Sequence, residues 1–131
     1  MNVLTGMMCL VLGCALGGSV RFFVSGYVAR RMGETFPWGT MTVNVSGAFV
    51  IGVFGALASA PSSLMASPDP WLFAVTGFLG CYTTVSSFSL QTLALARDGE
   101  VRSSLVNILL SLLLCLGAVA SGFMLTQWLG A

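Results

Sequence analysis

The sequence contains no histidine and no lysine, and charged residues make up only 7% of its 131 positions. Without histidine there is no imidazole metal site. Five arginines and four carboxylates leave a formal net charge of +1, so no basic patch exists to hold a nucleic acid. No carboxylate lies inside an apolar run: Glu34, Asp69, Asp98 and Glu100 all fall in polar connections. That counts against a cation-coupled exporter, which needs a membrane-embedded acid. The cysteines Cys9, Cys14, Cys81 and Cys115 lie in apolar runs, with no C-x-x-C spacing. They read as small apolar residues rather than disulfides or metal ligands. No nucleophile–base pair or metal cluster stands out, so an enzyme is the least supported reading.

What the sequence has in abundance is apolar side chains, 56% of the total, with a mean hydropathy of +0.96. So few charges with so much apolar surface mark an integral membrane protein. The length suits a single domain, residues 1–131. Apolar runs predict an all-α fold of four transmembrane helices, at about 3–28, 39–60, 71–96 and 103–128. The first run lacks a basic leader and is too long for a signal peptide core, so it is expected to stay in the membrane. Gly13, Gly17 and Gly18 in the first run let a neighbouring helix approach closely, as do Ala48, Gly52, Ala56 and Ala60 in the second. Arg21 falls in the last third of the first run, where it either snorkels to the interface or draws an anion into a vestibule. Asn44 lies one turn inside the second run and needs a partner, either on a neighbouring helix or along a polar path. In the fourth run Asn107, Ser111 and Cys115 share one face. Four spans put both termini on one side. Arg30, Arg31, Arg97 and Arg102 then share the other, which the positive-inside rule assigns to the cytoplasm.

The third run is the one that departs from a plain membrane helix. Gly77 and Gly80 weaken it, and Thr83, Thr84, Ser86, Ser87 and Ser89 place hydroxyls at five of seven positions. Freed backbone groups in hydrocarbon survive only where protein or a wet path satisfies them. A helix broken at about 80–84 and rich in hydroxyls is therefore a candidate ion or substrate site. Small residues and hydroxyls also serve plain helix packing, and for any single hydroxyl that reading is the default.

Two stretches together carry a family resemblance. They are Pro37-Trp38-Gly39-Thr40-Met41-Thr42-Val43-Asn44 and the run from Gly77 through Phe78, Leu79, Gly80, Cys81, Tyr82, Thr83, Thr84, Val85, Ser86, Ser87 and Phe88 to Ser89. In this order, with Gly17-Gly18 and Arg21 in the first span, the chain resembles the Fluc/CrcB family of fluoride channels over its whole length. The resemblance implies passive export of fluoride across a bacterial inner (plasma) membrane, by a multi-pass protein in the lipid bilayer. It implies an antiparallel, dual-topology homodimer with two pores along the interface. It also implies a sodium ion at the dimer centre, held by main-chain carbonyls that match Gly80 and Thr83. On the same grounds the anion path is assigned to Asn44, Val85, Ser86, Ser87, Phe88 and Ser111, with Arg21 at a vestibule. The chemistry suits fluoride, which is small and strongly hydrated. Hydroxyls and an amide donate hydrogen bonds in place of water. Aromatic edges carry partial positive charge. The absence of a full cation in the narrow part keeps the ion from binding too tightly to leave.

Three positions depart from the family pattern. Val85 stands where the first of two phenylalanines is usual, leaving Phe88 alone; Gln91 replaces a common glutamate; Cys115 stands where serine is frequent. Two other readings stay open: a small dimeric multidrug-type exporter, and a poorly conducting subunit of a heterodimeric channel. Val85 keeps the poorly conducting subunit open, and the arginines keep the heterodimer open, since a chain that inserts both ways needs balanced loops and this one has arginines at one end only.

Overall fold

The structure, a computed structural model, describes residues 2–60 and 63–130, and every regular element among them is helical. Helix α1 is Val3–Met32 and α2 is Trp38–Ala58. The third span covers Pro68–Arg97 in two pieces. Residues 68–82 form α3, of which Leu72–Leu79 is π-helical; α4 is Val85–Arg97, and α5 is Val101–Trp128. Among the described residues four helices are long and apolar enough to cross a membrane, one of them interrupted. The first span runs a turn past the expected Val28, and the second stops at Ala58 rather than Ala60.

Local chemistry sets the ends. The Asn2 side chain accepts the Leu4 N–H at 3.3 Å, capping α1. Gly33 ends it at φ 90°, a conformation that favours glycine, and its N–H reaches the Ala29 carbonyl at 2.9 Å. Gly99, at φ 84°, turns the chain between α4 and α5. Of the expected second loop, 61–70, Pro61 and Ser62 lie outside the described residues. Its remainder is a 3-10 turn, Leu64–Ala66, and α3 begins early, with Pro68 in its first turn.

Glycine seams fix the packing. A Cβ on Gly13 would collide with the Phe73 carbonyl, and one on Gly17 with the Phe78 carbonyl. Gly77 faces them, close to the Leu10 carbonyl and Gly13. Backbone therefore lies on backbone where α1 crosses the π-helical part of α3. Gly18, expected in the same seam, meets nothing within 4 Å. Gly52 lies against the Val119 carbonyl and Gly122 against the Phe49 carbonyl, which locks α2 onto α5. Few apolar side chains are buried; Met41, Val43, Ala56, Val75 and Leu79 form the core. Large apolar side chains cover the outside of every span, as lipid allows. The four arginines expected in loops stand on the ends of α1, α4 and α5, and the connections beside them meet at one end, where Glu34 and Phe36 face Asp98 and Glu100 across a cavity of 540 Å³.

Candidate functional site

The interruption lies at Thr83 and Thr84, inside the expected 80–84 and past the glycines. Gly77 and Gly80 stay within helical turns, and the chain leaves the helix only where Thr83 and Thr84 adopt extended backbone, at ψ 160° and 120°. The cause sits on another helix. Asn44 Oδ1 accepts the Thr84 N–H at 2.7 Å, and its Nδ2 donates to the Thr84 carbonyl at 2.9 Å. One amide on α2 thus takes the N–H that a continuous helix would send to Gly80 and adds a bond to the Thr84 carbonyl. Asn44 thus has its partner on a neighbouring helix, and it also lines the cavity described below.

The break restarts as a capped helix. Thr84 Oγ1 accepts the Ser87 N–H at 3.2 Å, the usual service of an N-cap hydroxyl, and also lies 3.1 Å from Ser86 Oγ. Thr83 Oγ1 donates back to the Leu79 carbonyl at 2.9 Å, while its methyl sits against Gly47. Tyr82 closes the end of α3. Its hydroxyl is 2.9 Å from Ser46 Oγ, and its ring stacks on Phe78 with centroids 5.9 Å apart.

These bonds divert two donors. In an unbroken helix the Thr84 N–H would reach the Gly80 carbonyl, and the Ser87 N–H the Thr83 carbonyl. Asn44 and Thr84 Oγ1 take them instead. Gly80 and Thr83 are the two positions expected to offer main-chain oxygens to sodium, and both carbonyls have lost their helical partners. Oxygen ligands of this kind fit a hard cation.

Beside the break lies an open cavity of 580 Å³ between α2, α3, α4 and α5. Asn44, Gly80, Thr83, Val85, Phe88 and Ser111 all line it, together with Cys115. No charged residue does. Polar atoms therefore face a mostly apolar groove. Ser86 and Ser87 do not join them: Ser86 is exposed, and Ser87 lines a separate 380 Å³ cavity with Ser25, Thr40 and Gln91. Arg21 is half-buried on α1 and lines neither cavity; its carbonyl accepts the Ser25 hydroxyl at 2.7 Å.

Sequence reasoning passed over Thr92. Its hydroxyl donates to the Phe88 carbonyl at 2.6 Å and accepts from Asn107 Nδ2 at 2.8 Å. Its own carbonyl accepts the Ser104 hydroxyl at 3.0 Å. The spacing of Phe88 and Thr92, four apart on a helix, was the available signal. The N-cap role of Thr84 was equally legible, since threonine is a favoured cap before a helical run.

A membrane protein of four spans, with an uncharged polar site built at a discontinuous helix, belongs to the class that moves small solutes or ions across bilayers. Comparison with known proteins narrows the class. Residues 8–123 match the family model described as CrcB-like protein, Camphor Resistance (CrcB). The chain is 66% identical over 128 residues to a protein of Bradyrhizobium diazoefficiens named fluoride-specific ion channel FluC 2, covering 98% of this chain and 93% of that one. A Rhodopseudomonas palustris protein of the same name is 64% identical, covering 93% of each chain. A Brucella suis protein named fluoride-specific ion channel FluC 3 is 50% identical, covering 98% of this chain and 96% of that one. The chain belongs to the CrcB family, whose relatives here are ion channels and not enzymes.

Proposed function

We propose that the chain is a fluoride-selective channel that lets fluoride leave the cell passively and so relieves fluoride toxicity. The observation that carries this reading is the uncharged groove at the break, where Asn44, Thr83, Ser111 and the ring of Phe88 come together. Its relatives are named for the same ion. Hydroxyl and amide donors replace the hydration shell in short steps. The Phe88 edge offers partial positive charge without a full cation to trap the ion. Val85 adds a stiff apolar wall where a second ring would sit.

The groove is open along one side, and Val85 at its rim is 76% exposed. In this reading a second copy, inserted antiparallel, closes the groove and completes two pores. The freed carbonyls of Gly80 and Thr83 from both copies then surround a sodium ion at the centre. When bound, sodium supplies fixed positive charge there and holds the two breaks together. A density map of the purified dimer in sodium should show an ion within oxygen-ligand distance of those carbonyls. An empty, tightly packed crossing would remove sodium from the account.

One observation favours a variant of the assembly. Arg30, Arg31, Arg97 and Arg102 lie at one end of the spans and no arginine or lysine at the other. A chain so biased inserts one way, and its antiparallel partner would then be a different chain. Fluoride efflux from liposomes holding this purified chain alone tests both points. Efflux of fluoride but not chloride supports a self-sufficient channel. Silence that a second family member cures supports the heterodimer. Silence that no partner cures removes the function.

A further inference from the structure

Helix α4 carries Val85 and Phe88 but contributes no buried side chain of its own to the fold. An element with no buried apolar residue is not held by core packing. Polar bonds hold it instead, at two points. At its start, Asn44 on α2 grips Thr84 through both backbone groups. One turn beyond Phe88, two side chains of α5 converge on Thr92: Ser104 donates to its carbonyl at 3.0 Å and Asn107 donates to its hydroxyl at 2.8 Å. Both donors are buried, Asn107 to 1% exposure and Ser104 to 5%. Phe88 sits between these anchors.

The second anchor has a direction built into it. Asn107 Nδ2 can only donate, so the Thr92 hydroxyl must accept there and turn its own proton elsewhere. It turns it onto the Phe88 carbonyl, at 2.6 Å. Ser111, on the wall of the groove, lies behind Asn107, with its hydroxyl 3.5 Å from Asn107 Oδ1. A chain of polar contacts thus runs from a groove residue on α5, through Asn107 and Thr92, to the backbone of the groove's only aromatic residue.

We propose that Asn107, Ser104 and Thr92 form a clamp that sets where Phe88 stands in the groove, and that Thr92 is a positioning residue for conduction. The clamp rests on the reading of Phe88 as part of the ion path. A threonine hydroxyl bonded to the carbonyl one turn back bends a helix slightly, so losing that bond changes both the tilt of α4 and the seat of the ring. A valine at position 92 keeps the shape and removes the bonds, leaving the Asn107 amide buried without its acceptor.

The test uses the full chain in liposomes with Thr92→Val, Thr92→Ser, Ser104→Ala and Phe88→Ile. A fluorinated phenylalanine at position 88 adds a readout that plain stability does not move. Thr92→Val should lower fluoride efflux at least about tenfold, the size expected from stranding a buried hydrogen-bonding group. It should also shift the fluorine resonance at position 88, with assembly unchanged. Thr92→Ser keeps the hydroxyl and should restore both the rate and the resonance. Ser104→Ala breaks only one arm, so its losses should be smaller. If Phe88→Ile stops efflux while Thr92→Val conducts like the wild type or leaves the resonance in place, the clamp is wrong and the path stands. If Phe88→Ile leaves efflux intact, the path itself is wrong. If Thr92→Val fails to assemble, Ser104→Ala decides: a shifted resonance in an assembled protein supports the clamp, and an unmoved one, or a failure to assemble, makes Thr92 purely structural and overturns it.

Discussion

At the scale of single residues, Asn44 is the most consequential side chain in the structure. Its amide meets both backbone groups of Thr84, and without it the Thr84 N–H has no partner. Asn44→Leu leaves the buried Thr84 N–H stranded, at a cost of about 1–3 kcal/mol. The expected result is loss of efflux and a lower unfolding temperature in detergent; a variant as stable as the wild type would mean the break holds itself. Thr83 is a milder case. Its hydroxyl bonds Leu79 and only its methyl touches Gly47. Thr83→Ser keeps the bond and the main-chain oxygen, so stability should fall by about 1 kcal/mol with conduction retained. Val85 is the informative gain-of-function position. It lies three residues before Phe88 on the same face of α4 and lines the same groove. Val85→Phe should hold efflux at the wild-type rate or raise it, measured beside the wild type at equal protein per liposome.

At the scale of elements, much was legible in the residues and some was not. The four spans followed from length and hydropathy, because lipid rewards unbroken apolar runs. That the third run would break was readable from its hydroxyls. So was its place, since the observed break at Thr83 and Thr84 falls inside the expected 80–84; what holds it there was not. Glycine signalled weakness at Gly77 and Gly80, yet α1 presses against the backbone at Gly77 and keeps that part helical. The break comes past the glycines because a side chain forty positions away takes over Thr84. No local pattern contains that contact. The Thr92 clamp was hidden for the same reason, since it needs the register of α4 against α5. The hydroxyl run also divides in a way that its spacing did not show: Thr83 lines the groove while Ser86 and Ser87 lie elsewhere. The break makes its own prediction. Thr84 stands at φ −152° and its N–H is bonded to Asn44, and proline satisfies neither condition. Thr84→Pro should therefore abolish efflux and destabilise the fold by about 3 kcal/mol or more. A chemical denaturation series of the assembled protein in detergent reads that cost, and an unchanged midpoint would show that the turn does not depend on this bond.

At the scale of the whole molecule, the fold is two glycine-welded pairs, α1 with α3 and α2 with α5, joined where α1 meets α2, and α4 packs on α5 and α2. The groove beside the break is open along one side, where the proposed second copy would sit. Orientation is open to a direct check with a cysteine placed at Ser67, at the end without arginine. In a background with the four native cysteines replaced, impermeant maleimide on intact cells should label about half the chains if insertion is dual and all or none if it is fixed. The claim on which everything else depends is that fluoride passes the groove at Phe88. The most direct measurement is fluoride efflux, read with a fluoride electrode, from liposomes holding equal amounts of wild-type and Phe88→Ile protein. The account predicts rapid, fluoride-selective efflux for the wild type and almost none for a Phe88→Ile variant that assembles normally. Equal efflux from both would place the path elsewhere and contradict the account.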